Sequence, residues 1–127
     1  MNVVDSCGWL EYFAGGPNAD FFAPPLESMD GTLVVPTLCL YEVFRNVLVQ
    51  FGREQAIEKA SVMRQGNVIP LDEGLALDAA ILSHELRLPM ADSIILATAR
   101  HCDAQLWTQD AHFEHLEGVR YCTKRRY

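Results

Sequence analysis

Four carboxylates stand where apolar stretches of the chain give way to polar ones. Asp5 directly follows NVV (2–4), Asp110 follows LWTQ (106–109), Asp92 precedes SIILATARH (93–101), and Glu42 lies inside TLCLYEVFRNVLVQF (37–51). Each has an ordinary reading taken singly. Asp5 and Asp92 are of the type that caps a helix and complements its N-terminal dipole, and Asp110 suits a turn or a cap. Glu42 could face solvent, but Leu40, Tyr41, Val43 and Phe44 leave little polar surface around it. An unpaired carboxylate in such company is costly, so it needs a partner. Taken jointly, three or four carboxylates on one rim of a domain repel one another unless a cation sits between them. Hard oxygen donors suit Mg²⁺ or Mn²⁺, ions that retain water and bind substrate phosphate directly. The chemistry so defined is metal-assisted hydrolysis of a phosphate ester.

Other reactive residues point elsewhere with less force. In QLWTQDAHF (105–113), either Asp110 or His112 could serve as a ligand. The reading adopted keeps Asp110, seats Phe113 in the core and turns His112 outward as a bystander. His84, His101, His112 and His115 form no HxxxH or HExxH pattern, and the four cysteines, Cys7, Cys39, Cys102 and Cys122, form no CxxC pair. Scattered cysteines of this kind read as free thiols in a reducing compartment. No lysine or serine–histidine pair is placed for covalent catalysis. Gly15-Gly16 lies too late after the first apolar run, and lacks the lysine, for a phosphate-binding loop. Arg45, three positions after Glu42, can neutralise it or contact phosphate, and Lys124, Arg125 and Arg126 form a small basic cluster.

Positioning these groups requires a sheet. Short apolar runs at 2–4, 32–36, 67–71, 104–108 and 119–122 read as strands, with Pro70 favouring an edge or a strand end for the third. Between them the pattern predicts a helix over 6–14 ended by Gly15-Gly16, and a broken or short helix within 17–31, because Pro24-Pro25 cannot lie deep inside one. Further helices are predicted over 37–51 with Thr37 as cap, over 53–65, over 72–86 with Asp72 as cap, and after Pro89. A single helical turn or two follows at 111–116. The 37–51 helix carries a wide apolar stripe of Leu40, Val43, Phe44, Val47, Leu48 and Phe51. Strands alternating with helices, without hairpin spacing, indicate a parallel sheet covered on both faces. In such sheets ligands bind beyond the carboxyl ends of the strands, where Asp5 and Asp110 both fall.

The length of 127 residues fits one domain, 1–127, and a half-hydrophobic composition fits a folded core. The formal net charge of -7 argues against coating nucleic acid by bulk electrostatics, although a bound cation reverses the local field at an acidic site. No apolar run approaches the ~18 residues that a membrane span needs. The start lacks a basic segment and carries Asp5 where a signal peptide would be apolar, so the expected location is cytoplasmic.

Four segments, in order along almost the whole chain, resemble the motifs of PIN-domain ribonucleases, in particular VapC-type toxins of bacterial toxin–antitoxin pairs. VVDSCGWLEYF (3–13) resembles the first motif, with Asp5 at the first metal-binding acid and Ser6 as the adjacent hydroxyl. PTLCLYEVFRNV (36–47) resembles the second, its glutamate at Glu42. LPMADSIILATAR (88–100) resembles the third, with Asp92, and LWTQDAHF (106–113) the fourth, with Thr108 and Asp110. The resemblance implies a three-layer α/β/α fold with a mostly parallel five-stranded sheet. It also implies Mg²⁺- or Mn²⁺-dependent endonuclease cleavage of RNA, a cognate antitoxin that reaches the acidic site, and a homodimer. Asp5, Glu42, Asp92 and Asp110 would hold one or two cations, with Asp5 and Asp92 central and Thr108 or Ser6 orienting water. Cys7 departs from the pattern, standing where many relatives carry a small hydroxyl residue. The rival readings are a phosphoesterase acting on small phosphorylated molecules, a catalytically silent PIN-like interaction domain, and a receiver-like or nucleotide-binding α/β domain.

Overall fold

The computed structural model describes residues 1–125. Arg126, the last member of the basic cluster, lies outside the described residues. Five strands form one sheet in the order β3-β2-β1-β4-β5: β1 (Asn2–Val4), β2 (Leu33–Pro36), β3 (Asn67–Ile69), β4 (Gln105–Thr108) and β5 (Val119–Tyr121). All four pairings among the described residues are parallel, in keeping with the mostly parallel sheet expected. The register sets Val4 opposite Trp107, which brings the chain just past β1 level with the end of β4.

The helices are α1 (Ser6–Ala14), α2 (Ala19–Glu27), α3 (Thr37–Phe51), α4 (Arg53–Met63), α5 (Glu73–Leu86) and α6 (Met90–His101), with a single 3₁₀ turn over Ala111–Phe113. They flank the sheet in the α/β/α arrangement expected. Val3, Val4, Val34, Val35 and Leu106 from the three central strands are buried, as are Trp9, Phe22, Val43, Ile95, Leu96 and Phe113 from the layers packed on them. Every residue from Ser93 to Ala99 is buried, so α6 is the most enclosed helix and its first turn is held firmly at the sheet rim. Phe113 takes the core position expected of it. Among the described residues, no helix is long and apolar enough to cross a membrane.

Most element ends follow from local chemistry. Gly15 adopts φ 65 and closes α1, and Asp72 caps α5 by accepting from the Leu75 N–H at 2.8 Å. β3 is an edge strand that stops before Pro70. Gly8 meets α2 and β1 so closely that a Cβ there would lie 2.6 Å from the Phe22 ring and 2.7 Å from Val4.

Three expectations are corrected. α2 is short, as expected, but Pro24 and Pro25 lie inside it rather than breaking it, and Phe22 and Pro25 are buried there. Thr37 is the first residue of α3 rather than its cap, and its Oγ1 accepts from the Leu71 N–H at 3.3 Å instead. The α3 stripe is wider than the core it serves. Val43 and Val47 are buried, but Phe51 is 69% exposed.

Candidate metal centre

The acids gather at the carboxyl ends of β1 and β4. Asp5 leaves β1 with its N–H bonded to the Trp107 carbonyl at 3.0 Å, which ties the two strand ends together. It caps α1: Oδ1 accepts from the Ser6 N–H at 2.8 Å. Its Oδ2 accepts from the Thr108 hydroxyl at 2.8 Å and the Cys7 thiol at 3.3 Å. Only 4% of Asp5 is exposed, and burial pushes its carboxyl up to about 6, against the lowering effect of these three donors. Burial likewise pushes the Cys7 thiol far up, so Cys7 stays a neutral donor. The cap reading and the site reading of Asp5 therefore hold together.

Asp92 lies in the first turn of α6. The cap position belongs to Pro89, which makes no side-chain bond, so of the ordinary reading of Asp92 the cap fails, while its place in the first turn, facing the helix dipole, holds. Its Oδ2 lies 2.8 Å from His112 Nδ1. Asp110 caps the 3₁₀ turn by accepting from the His112 N–H at 2.9 Å, and its Oδ1 lies 3.2 Å from His112 Nδ1. The Asp110 N–H donates to Thr108 Oγ1 at 2.9 Å. Burial, then the charge of Asp110, raises the Asp92 carboxyl. The bond to Asp92, followed by the charges of Asp110 and Asp92, raises the exposed His112 imidazole. His112 is therefore no bystander, because its ring occupies the space between two carboxylates.

One donor atom each from Asp92, Asp110 and His112 lies within 4.8 Å of the others. Among the described residues this is the one grouping of three or more such side chains that close. The four acids thus do not surround a single point. Asp5 joins the triad through Thr108, and Glu42 joins one step further out, its Oε1 accepting from the Ser6 hydroxyl at 2.7 Å. Arg45 is exposed and forms no ion pair with Glu42. The donor set, two half-buried carboxylates and an imidazole, fits a divalent cation. The sequence signal for His112 was its place two residues beyond an acid that caps a turn. The signal for Cys7 was its place two residues beyond Asp5.

The fold is an all-parallel five-stranded sheet between helical layers, with acids at its carboxyl rim. The PIN domain family matches residues 3–119, and the chain belongs to that family. No curated protein matches the sequence. Among solved structures, the chain is similar to a toxin–antitoxin complex from Klebsiella pneumoniae, with TM-score 0.77, 22% identity, and 94% of this chain and 95% of that one covered. It is similar to VapBC2 from Rickettsia felis bound to a promoter DNA fragment, with TM-score 0.74, 16% identity and coverage of 96% and 97%. It is also similar to Mycobacterium tuberculosis VapC20, described as a sarcin–ricin loop cleaving toxin, with TM-score 0.73, 18% identity and coverage of 92% and 95%.

Proposed function

We propose that the chain is a divalent-cation-dependent endoribonuclease and the toxin of a toxin–antitoxin pair, acting in the cytoplasm as a homodimer. The observation that carries the reading is the Asp92–Asp110–His112 grouping at the carboxyl rim of a PIN fold, with donor atoms within 4.8 Å of one another. The likeness to a sarcin–ricin loop cleaving toxin and to toxin–antitoxin complexes supports RNA as substrate and a protein antitoxin as partner.

Asp92 and Asp110 are the residues to hold Mg²⁺ or Mn²⁺, with His112 as a nitrogen donor and Asp5 and Glu42 within reach through Thr108 and Ser6. When bound, the cation supplies Lewis acidity at the phosphate and lowers the pKa of water. The chain's own contribution is spacing. Thr108 gives its hydroxyl hydrogen to Asp5 Oδ2 and accepts the Asp110 N–H, which fixes the distance between those two acids. Ser6 does the same between Asp5 and Glu42, through its N–H and its hydroxyl. Incubating the purified chain with labelled RNA, with Mn²⁺ or Mg²⁺ and with EDTA, tests the reading. Cleavage that requires the cation and disappears in Asp92→Asn supports it; cleavage that persists in that variant or in EDTA contradicts it.

A further inference from the structure

A cavity of about 520 Å³ opens beside the acidic rim, within the range of ~300–1,000 Å³ typical of small-ligand sites. Its wall includes Cys7, whose Sγ is 3.3 Å from Asp5 Oδ2, and Gln109, the residue between Thr108 and Asp110. Cavity and acids are therefore neighbouring parts of one surface. The rest of the wall includes Phe13 of α1, Asn46, Gln50 and Phe51 of α3, and Gln55 and Lys59 of α4.

The chemistry of this wall is specific. Asn46, Gln50, Gln55 and Gln109 are carboxamides, a group that carries a donor beside an acceptor, the complement of a nucleobase edge. Gln50 Nε2 donates to Asn46 Oδ1 at 3.1 Å, which aligns the two amides one helical turn apart. That bond uses one polar atom of each and leaves Asn46 Nδ2 and Gln50 Oε1 as a donor–acceptor pair. Gln109 is held by the buried Asn18, whose Nδ2 donates to Gln109 Oε1 at 2.9 Å and to the Thr123 carbonyl at 3.0 Å. Asn18 thereby fixes both an amide of the wall and the segment leading to Lys124, which also lines the cavity. Phe51, largely exposed, offers a flat apolar face of the kind on which bases stack. Lys59 Nζ lies 5.2 Å from the Phe13 ring centroid, so a cation is held at the wall of a chain whose net charge is -7. The acid of the wall, Glu11, accepts from the Asn18 N–H at 2.9 Å. A second groove along α3 and α4, walled by Leu40, Tyr41, Phe44 and Leu48, offers no carboxamide.

We propose that the cavity receives a nucleobase of the RNA strand next to the scissile phosphate, read by the amides of Asn46 and Gln50, stacked on Phe51 and flanked by Lys59 and Lys124. The cavity then decides where the strand is cut. This rests on the ribonuclease reading above, and two experiments separate the two claims. In the first, side-chain amide resonances are followed by NMR while the four nucleoside 5′-monophosphates are added, with ribose 5-phosphate as the base-free control. Shifts at Asn46 and Gln50 with nucleotides but not with ribose 5-phosphate support the proposal; equal shifts with both, or none, overturn it. In the second, Gln50→Ala and Phe51→Ala are assayed against single-stranded RNA. A rise in KM of about tenfold and a wider spread of cut positions are expected, with kcat, Mn²⁺ affinity and thermal midpoint retained. Wild-type KM and cut positions in both variants overturn the proposal. So does weakened binding of an inhibitory protein partner with KM unchanged, because the cavity then belongs to that partner. Nucleotide shifts without any RNA cleavage overturn the ribonuclease reading and leave a nucleotide site. Cleavage without shifts overturns the base pocket alone.

Discussion

The two carboxylate positions on the rim are built in opposite ways. Asp5 is enclosed and satisfied by neutral donors, the Ser6 N–H, the Thr108 hydroxyl and the Cys7 thiol. Asp92 and Asp110 are half-buried, close to each other, and share the imidazole of His112 between them. A carboxylate enclosed by neutral donors is fixed in place but carries the cost of its own burial. A pair of half-buried acids sharing one basic group is a site where a cation gains most, because the repulsion it relieves is already assembled. Under the function proposed above, positioning falls to Asp5 and ion capture to Asp92 and Asp110, where the sequence reading placed Asp5 and Asp92 together at the centre.

The largest effect that separates the two positions is catalytic. Asp92→Asn should reduce RNA cleavage by about a thousandfold or more, since it removes a donor from the ion site itself. The Mn²⁺ affinity of Asp5→Asn should fall less than that of Asp92→Asn, and equal losses would merge the two positions into one site.

The next effect is on stability and depends on pH. The Asp5 carboxyl titrates near 6 in the folded chain against an ordinary value of 3.8, so between those values the folded state holds a proton that the unfolded state has released. Stability contributed by the protonated form is complete below about 4, declines as pH rises and is lost above about 6, a change of order 3 kcal/mol. Asp5→Asn cannot lose that proton. Its unfolding free energy, measured by denaturant without added metal, should exceed wild type by a margin that grows from pH 4 to 6 and then levels. A margin independent of pH would remove burial as the source of strain at Asp5.

His112→Ala should lower Mn²⁺ affinity about tenfold and Mg²⁺ affinity less, because an imidazole nitrogen suits Mn²⁺ better than the harder Mg²⁺. An unchanged ratio by calorimetry takes His112 out of the ligand set. The smallest effect belongs to Cys7. Cys7→Ala removes one of the donors to Asp5 Oδ2 at a cost of about 0.5 kcal/mol, and Cys7→Ser, which keeps a donor, should restore wild-type stability in the same denaturant assay. A serine variant no better than alanine would mean that the thiol fills space and nothing more.

The strands and the acids were legible in the sequence because their signals are local. Valine runs stop at Asp5 and at Pro36, and a run of that kind with a polar or proline stop reads as a strand end without knowledge of its neighbours. His112 was not legible. Its ring acquires meaning only when β4 is laid beside β1 and the first turn of α6 is brought to the same rim. A short helix around Pro24 and Pro25 was legible, but its passage through both prolines was not, since it depends on burial of Phe22 and Pro25 against the rest of the fold. Periodicity marked Phe51 as apolar but could not distinguish a core position from the mouth of a cavity.

Titration of Mn²⁺ into the purified chain, followed by the paramagnetic resonance signal of the free ion, tests the central claim most directly. Wild type should withdraw Mn²⁺ from solution, Asp92→Asn and Asp110→Asn should leave it free, and Glu42→Gln should bind it more weakly than wild type. Wild-type binding by Asp92→Asn would contradict the account.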